Sequence, residues 1–296
     1  GGSRACRPPQ GGRQAALADC WQFMLLTWPA MASLPVWIEP DPDDPDCAVP
    51  FVDGTVASRA YRFVLDTGAA RTTMLADEYT AGLPPVGTDH GRGAFGAVNG
   101  TVVRVSDVAV GPLQAPSLDV ARVDGAGPGA QSLLGMDLIG QYRCLFRLAA
   151  GVVDVGPPAS GRDVPSDLPT DSRGHFYVHV SWAHAPELSG YACWDSGAGI
   201  TIVHHGFWQA HRELFRETGT AEGTDASGTQ MRTPLVHMSG VVIGGRPFSP
   251  HKAAVVDLSA ANATLERPMD LILGYPTLSQ ADWLFDFPAR KWALTS

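Results

Sequence analysis

The chain carries one short phrase twice, each time at the end of an apolar run. The first copy is Asp66-Thr67-Gly68-Ala69 and the second is Asp195-Ser196-Gly197-Ala198. A single Asp-hydroxyl-Gly is weak evidence, because such tripeptides are common in turns. Two copies in one chain, each opening a similar stretch of sequence, predict two half-sites that meet. Two carboxyl groups brought together can share one proton and activate a water molecule.

The surroundings of the phrase also repeat. Each half has an apolar strand, the Asp phrase, a β-branched run, a Gly-rich hairpin, an apolar-apolar-Gly segment and a closing strand, in that order. From Asp to the later Gly the interval is 69 residues (135 − 66) in the first half and 79 (274 − 195) in the second. The segments flanking the Asp phrase are Val49–Val52, Thr72–Met74, Gly91–Gly100, Leu133–Gly135 and Cys144–Leu148, then Phe176–Val180, Ile200–Val203, Gly223–Gly228, Ile272–Gly274 and Trp283–Phe287.

The composition favours short strands over long helices. The 33 Gly and 24 Pro include many that stand as turn residues between short apolar runs. We therefore expect an all-β, bilobal fold with pseudo-two-fold symmetry, in which residues 47–157 form the N-terminal lobe and 175–296 the C-terminal lobe. Residues 158–174 are rich in Pro and are expected to be a linker.

Residues 1–46 are predicted to be an N-terminal extension, which ends in the acidic, Pro-rich run Glu39–Asp46. Three interpretations stay open. We favour a dispensable arm over a signal peptide cleaved near Ala30-Met31-Ala32 and over a basic prosegment lying on an acidic cleft. The apolar stretch from 15 to 38 is too interrupted to span a membrane comfortably, so no membrane partner is expected.

The net charge, the cysteine content and the histidine spacing limit which partners, compartment and cofactors are expected. The net charge is −9 with no concentrated basic stripe, so nucleic acid is not an expected partner. The five Cys show no CxxC spacing and are expected to be free thiols in a reducing compartment, which favours the cytoplasm over secretion. His204, His205 and His211 lack a metal-ligand pattern, and neither a metal nor another cofactor is expected.

With these motifs the chain resembles the pepsin-like and retroviral-type aspartic proteases, over roughly 47 to 296. The resemblance rests on the two Asp phrases and on Leu133–Gly135 and Ile272–Gly274. It implies that each apolar-apolar-Gly strand crosses beside an Asp loop, and that both loops meet at the floor of a cleft between the lobes. It also implies a hairpin flap over the cleft, which would place Phe95 and Gly96 against a peptide substrate.

Details resemble the retroviral type more than pepsin. Ala69 and Ala198 stand where pepsin-like enzymes usually have Ser or Thr. Retroviral-type enzymes usually dimerise with one Asp per chain, whereas this chain is similar to a fused dimer and is expected to work as a monomer. The chain departs from the retroviral type at Ala70-Arg71 and Gly199-Ile200, where those enzymes carry acidic residues that grip the substrate.

The resemblance implies an aspartic endopeptidase with Asp66 and Asp195 as the catalytic pair. Thr67 and Ser196 would bond across to the opposite loop, and Gly68 and Gly197 would donate N–H groups to the carboxylates. Because an Ala side chain cannot donate a hydrogen bond to them, we expect a less acidic pH optimum than that of pepsin.

Two other interpretations of the sequence explain fewer of its features. A non-catalytic peptide-binding or scaffold protein that kept the fold is the alternative, although it needs neither Asp. The segment from Asp195 to Gly199 is similar to the nucleophile segment of serine proteases, but no matching His and Asp partners follow from the sequence, and Asp66 would be unexplained.

Overall fold

The computed structural model of the chain describes residues 30–92, 97–124, 130–158, 164–224 and 230–295. Strands dominate these residues, in line with the all-β prediction. The strands of the first half are β1 (Ala32–Pro35), β2 (Trp37–Pro40), β3 (Ala48–Val56), β4 (Arg59–Leu65), β5 (Thr73–Leu75), β6 (Pro85–Arg92), β7 (Ala97–Val110), β8 (Leu113–Val123), β9 (Leu133–Leu134), β10 (Arg143–Arg147) and β11 (Val152–Gly156).

The second half holds twelve further strands within the described residues. They are β12 (Ser166–Asp167), β13 (Tyr177–Trp182), β14 (Ala185–Trp194), β15 (Thr201–His204), β16 (Phe215–Thr224), β17 (Gln230–Met238), β18 (Val241–Ile243), β19 (Arg246–Phe248), β20 (His251–Val256), β21 (Leu271–Leu273), β22 (Trp283–Asp286) and β23 (Lys291–Leu294). The described α-helices are short: α1 (Glu78–Ala81), α2 (Met136–Ile139), α3 (His205–Ala210), α4 (Ser259–Asn262) and α5 (Tyr275–Leu278).

Each lobe is built on its own sheet, and the two sheets share an inner arrangement. The N-terminal lobe has the order β2-β3-β4-β9-β5-β8-β7-β6, and the C-terminal lobe has β16-β17-β20-β15-β21-β14-β13-β18-β19. In both, the strand before the Asp phrase runs parallel to the apolar-apolar-Gly strand, β4 to β9 and β14 to β21. The bilobal fold with pseudo-two-fold symmetry is confirmed.

A third sheet joins the halves, in the order β1-β11-β10-β22-β23-β12. At its centre β10 of the first half pairs antiparallel with β22 of the second, with Leu145 opposite Leu284. The strands that close each half of the sequence repeat therefore meet at the pseudo-two-fold axis. Because they pair with each other, the two lobes are fixed relative to one another.

The N-terminal part of the chain takes a larger share in the fold than a dispensable arm would. Residues 32–40 lie within the predicted extension, yet β1 pairs with β11 in the joining sheet and β2 pairs with β3 in the N-terminal lobe. Asp44 also forms a 2.5 Å ion pair with Lys252 of the C-terminal lobe. In the predicted linker, β12 pairs with β23. The elements missed by the sequence are four residues long or shorter, so they leave almost no periodic pattern.

An aromatic cluster lies between the joining sheet and the start of the C-terminal lobe. The ring of Trp194, directly before Asp195, packs edge-on against Phe146 and Phe285 with centroids 4.9 Å away in each case. Phe176 stacks on the same indole at 5.8 Å. All four side chains are fully buried. Each such aromatic pair contributes about 0.5–1.5 kcal/mol beyond the burial of its surface. These contacts hold in place the strand that leads into Asp195.

Among the described residues, Cys47, Cys144 and Cys193 are buried free thiols. None of the helices in these ranges is both long and apolar enough to cross a membrane.

Candidate active site

Each Asp phrase is held at the end of its strand by the crossing apolar-apolar-Gly segment. The N–H of Asp66 donates to the Leu134 carbonyl at 3.0 Å, and the N–H of Asp195 donates to the Leu273 carbonyl at 3.1 Å. At the residue after each Gly, the Asp loop supplies the carbonyl acceptor and the crossing segment supplies the N–H donor. The Ala69 carbonyl accepts from Met136 at 2.8 Å, and the Ala198 carbonyl accepts from Tyr275 at 2.9 Å.

The two carboxyl groups face each other within hydrogen-bonding reach. One backbone group spans both: the Gly68 N–H donates to Oδ1 of Asp66 at 2.9 Å and to Oδ1 of Asp195 at 3.1 Å. The Ala69 N–H donates to Asp66 Oδ1, and the Gly197 N–H to Asp195 Oδ1, each at 2.9 Å. Backbone N–H groups of the two Asp loops therefore bind the Oδ1 atoms of both carboxyl groups.

Only glycine fits beside these carboxyl groups. A Cβ at Gly68 would lie 2.5 Å from Oδ2 of Asp195, and one at Gly197 would lie 2.5 Å from Cγ of Asp66. Both contacts are far inside van der Waals separation. The glycine of each phrase therefore sets how closely the opposite carboxyl can approach.

Thr67 and Ser196 are 1% exposed and bond reciprocally across the lobe boundary. The Thr67 N–H donates to Ser196 Oγ at 3.1 Å, and the Ser196 N–H donates to Thr67 Oγ1 at 3.0 Å. Each hydroxyl then donates to the strand leading into the opposite Asp, Thr67 to the Trp194 carbonyl at 3.2 Å and Ser196 to the Leu65 carbonyl at 2.6 Å. This network fixes the distance between the loops.

Burial and mutual repulsion shift the titration of the pair. The pKa of Asp66 is well above its ordinary value, because the group is buried and because the charge of Asp195 opposes its ionisation. Burial also raises the pKa of Asp195, against the N–H of Gly197 and the charge of His175. The two carboxyl groups titrate as one unit that retains a proton more readily than an isolated aspartic acid.

His175 and Asp171 form a pair beside the dyad that sequence reasoning missed. His175 Nδ1 lies 2.9 Å from Asp171 Oδ2, which also accepts from the Tyr177 hydroxyl at 2.8 Å. A Cβ at Gly174 would lie 3.9 Å from that of Ala70, so this turn lies against the first Asp loop. The only signal in the sequence was an Asp and a His four residues apart, which span the boundary between the predicted linker and the predicted C-terminal lobe.

The crossing segments are anchored differently in the two lobes. In the N-terminal lobe the Thr72 hydroxyl donates to Asp137 Oδ1 at 2.7 Å and accepts from the Gly135 N–H. In the C-terminal lobe Thr201 bonds to Thr277 at 2.8 Å, and Thr277 contacts His251 Nε2 at 2.8 Å. The symmetry of the backbone is thus not matched by the side chains around it.

The structure brings together all six predicted residues of the two Asp phrases: Asp66, Thr67, Gly68, Asp195, Ser196 and Gly197. Phe95 and Gly96, predicted to line a flap, lie outside the described residues. His204 Nδ1 accepts the Leu258 N–H at 3.1 Å, which gives it a structural role. The ranges that the structure describes hold no His, Cys, Asp and Glu cluster suited to a metal ion.

Comparisons with known proteins relate the chain to aspartic proteases. The family described as "Aspartyl protease" matches residues 52–138, the part of the N-terminal lobe that holds the first Asp phrase and its crossing strand. Among solved structures, basic 7S globulin from soybean is similar in fold, with a TM-score of 0.52 and 10% identity. The match covers 90% of this chain and 95% of that one. No curated protein sequence is significantly similar to the chain.

Proposed function

Because the chain is related to the aspartic protease clan, we propose that it is an aspartic endopeptidase whose reaction centre is the Asp66–Asp195 pair. The observation that carries the proposal is the Gly68 N–H, which bonds both carboxyl groups at once. Two acids held this closely cannot both ionise at little cost, so the pair retains one proton between them. Both half-sites belong to one chain, so a monomer would be complete.

In the proposed reaction the ionised member of the pair takes a proton from a water molecule between the carboxyl groups. The water attacks the carbonyl carbon of a peptide bond, and the protonated member donates a hydrogen bond to the carbonyl oxygen. The tetrahedral species collapses when the pair passes the proton taken from water to the leaving nitrogen, which breaks the C–N bond and returns the pair to its singly protonated state. The pair acts as a unit, and we assign neither role to one residue.

Cleavage of casein and of a randomised decapeptide library, read by mass spectrometry, tests the proposal. We expect cleavage by the wild-type protein, inhibition by pepstatin, and loss of cleavage in Asp66→Asn and in Asp195→Asn. Asp53→Asn is the matched control, since that carboxylate is 58% exposed in an ion pair with Arg62 away from the dyad. Wild-type rates in both dyad variants would refute the mechanism.

The alternative is a non-catalytic peptide-binding protein with the same fold. A solved structure of similar fold is named a globulin rather than a peptidase. Retention of library peptides by the immobilised wild-type protein, without any cleavage, would favour that function.

A further inference from the structure

A polar pocket, lined by two Arg and three Asp side chains, opens beside the first Asp loop. It has a volume of about 380 Å³, and the residues of its wall that carry the argument are Ala70, Arg71, Asp89, Arg104, Asp119 and Asp137. Ala70 follows directly on Ala69, whose N–H is bonded to Asp66. The pocket therefore begins one residue after the N–H that bonds to Asp66, and four residues after Asp66 itself.

Two of the three carboxylates in the wall are already satisfied. Arg104 donates to both oxygens of Asp119, at 2.7 and 2.9 Å, a bidentate pair that lowers the pKa of that carboxyl. Asp137 accepts the N–H and the hydroxyl of Thr72, at 2.9 and 2.7 Å, and its pKa is raised by burial. The charge of Arg71 also acts to lower the pKa of both carboxyl groups.

Arg71 is a positively charged side chain of the pocket with N–H donors that remain available to a ligand. Its Nη1 donates to the Asp119 carbonyl at 3.0 Å, and its Nε lies 3.4 Å from Asp89. A guanidinium has five N–H groups, and the three others have no partner among the residues that the structure describes. The side chain is 40% exposed. The free edge of its fork suits a carboxylate, which it can bind through two parallel hydrogen bonds.

The corresponding position in the second loop is closed. Gly199 stands where the first loop has Ala70, and its carbonyl accepts the Ala48 N–H at 3.2 Å. Ile200 stands where the first loop has Arg71, and it packs against an apolar cluster. Because β3 covers the second position, any charge-based selection by these loops acts on one side of the cleaved bond only.

Resting on the proposed function, we propose that Arg71 is a specificity-determining residue that selects substrates with an acidic side chain. The acidic side chain of the substrate enters the pocket from a position within about three residues of the cleaved bond. Asp89 competes weakly, because at 3.4 Å it makes a loose contact that leaves the Nη edge open. If the Asp89 carboxylate determined the selectivity instead, the protein would prefer substrates with a Lys or Arg side chain.

The test compares cleavage sites in the decapeptide library for wild type, Arg71→Gln, Arg71→Glu and the control Arg62→Gln, whose side chain pairs with Asp53 outside the pocket. We expect wild type to prefer Glu over Lys at one subsite by at least about tenfold. Arg71→Gln should abolish the preference and Arg71→Glu should reverse it, while Arg62→Gln should keep the wild-type preference. Thermal unfolding of each variant verifies that it is folded.

A second arm separates this proposal from the catalytic one. Immobilised Asp66→Asn protein, with and without Arg71→Glu, is exposed to the same library, and the retained peptides are identified. Enrichment of Glu and Asp that reverses with Arg71→Glu supports the pocket even when wild type cleaves nothing. An equal yield of acidic and basic peptides in both arms, or a preference for basic ones in wild type, overturns it.

Discussion

The backbone N–H of Gly68 donates to the carboxylate of Asp195 across the boundary between the lobes, at 3.1 Å. The bond joins the loop of one half to the acid of the other, so neither half forms the site alone. A Cβ at Gly68 would fall 2.5 Å from the same carboxylate. The close approach that permits proton sharing therefore depends on a residue without a side chain.

Gly68→Ala and Gly197→Ala should abolish activity while the lobes still fold. The added methyl displaces the opposite carboxyl group, and a misplacement of about 1 Å can cost roughly 100-fold in rate. The measurement is kcat/KM on a peptide cleaved by the wild-type protein. Gly190→Ala is the control, because nothing lies within 4 Å of the added Cβ. Activity of Gly68→Ala equal to that of this control would contradict the geometry.

Ser196→Ala should lower the free energy of unfolding by about 2–4 kcal/mol. The substitution leaves the Leu65 carbonyl and the Thr67 N–H without their buried partner. Urea denaturation measures the change, and Ser196→Thr should restore most of it, since the hydroxyl remains. For comparison, Ser189→Ala removes an exposed hydroxyl on β14 and should change stability by less than about 0.5 kcal/mol. Equal effects of the two Ala variants would remove the cross-lobe network as a stabilising element.

The dyad and its supports were accessible from the sequence because they are local. Asp66 and Asp195 carry their hydroxyl and glycine as immediate neighbours, so the phrase and its repeat are visible in a linear chain. The pairing of β4 with β9 also follows from the resemblance, since the apolar-apolar-Gly segment marks the crossing strand. The strand content followed from turn spacing.

What the sequence concealed depends on contacts between distant segments. Residues 32–35 are one short strand among Pro and acidic residues, and their place beside β11 is decided by the joining sheet. Likewise, Arg71 was visible as a departure from the retroviral pattern, but its partners Asp89 and Asp119 lie 18 and 48 residues further along the chain. Long-range electrostatics of this kind has no local signature.

Asp66→Asn should stabilise the protein at neutral pH. The pKa of Asp66 in the folded protein lies above the ordinary 3.8 because of burial and the charge of Asp195. Between the ordinary and the raised pKa the folded state binds more protons than the unfolded state, so the free energy of unfolding falls as pH rises. Because an Asn side chain does not titrate, the variant does not lose this stability as the pH rises. Its Tm should exceed that of wild type at neutral pH, and the difference should vanish at about pH 3.

Asp171→Asn is the comparison of opposite sign for that experiment. Burial acts to raise the pKa of Asp171, but the bonds from His175 and Tyr177 outweigh it, and the pKa is lowered. Its ionised form therefore contributes stability above the ordinary pKa, which is lost as pH falls. The variant should have a lower Tm than wild type at neutral pH. A Tm change of the same sign in both variants would show that the assigned shifts are wrong.

Ala69→Ser should move the pH optimum of cleavage toward acid. The Ala69 N–H already donates to Asp66 Oδ1 at 2.9 Å, and a Ser hydroxyl at this position would add a donor that favours the ionised pair. A pair that ionises more readily reaches its singly protonated, active form at lower pH. The measurement is the pH profile of kcat/KM, with Ala60→Ser on the exposed part of β4 as the control. A wild-type optimum at about pH 2, or no acid shift in Ala69→Ser, would show that a hydroxyl at this position does not tune the dyad.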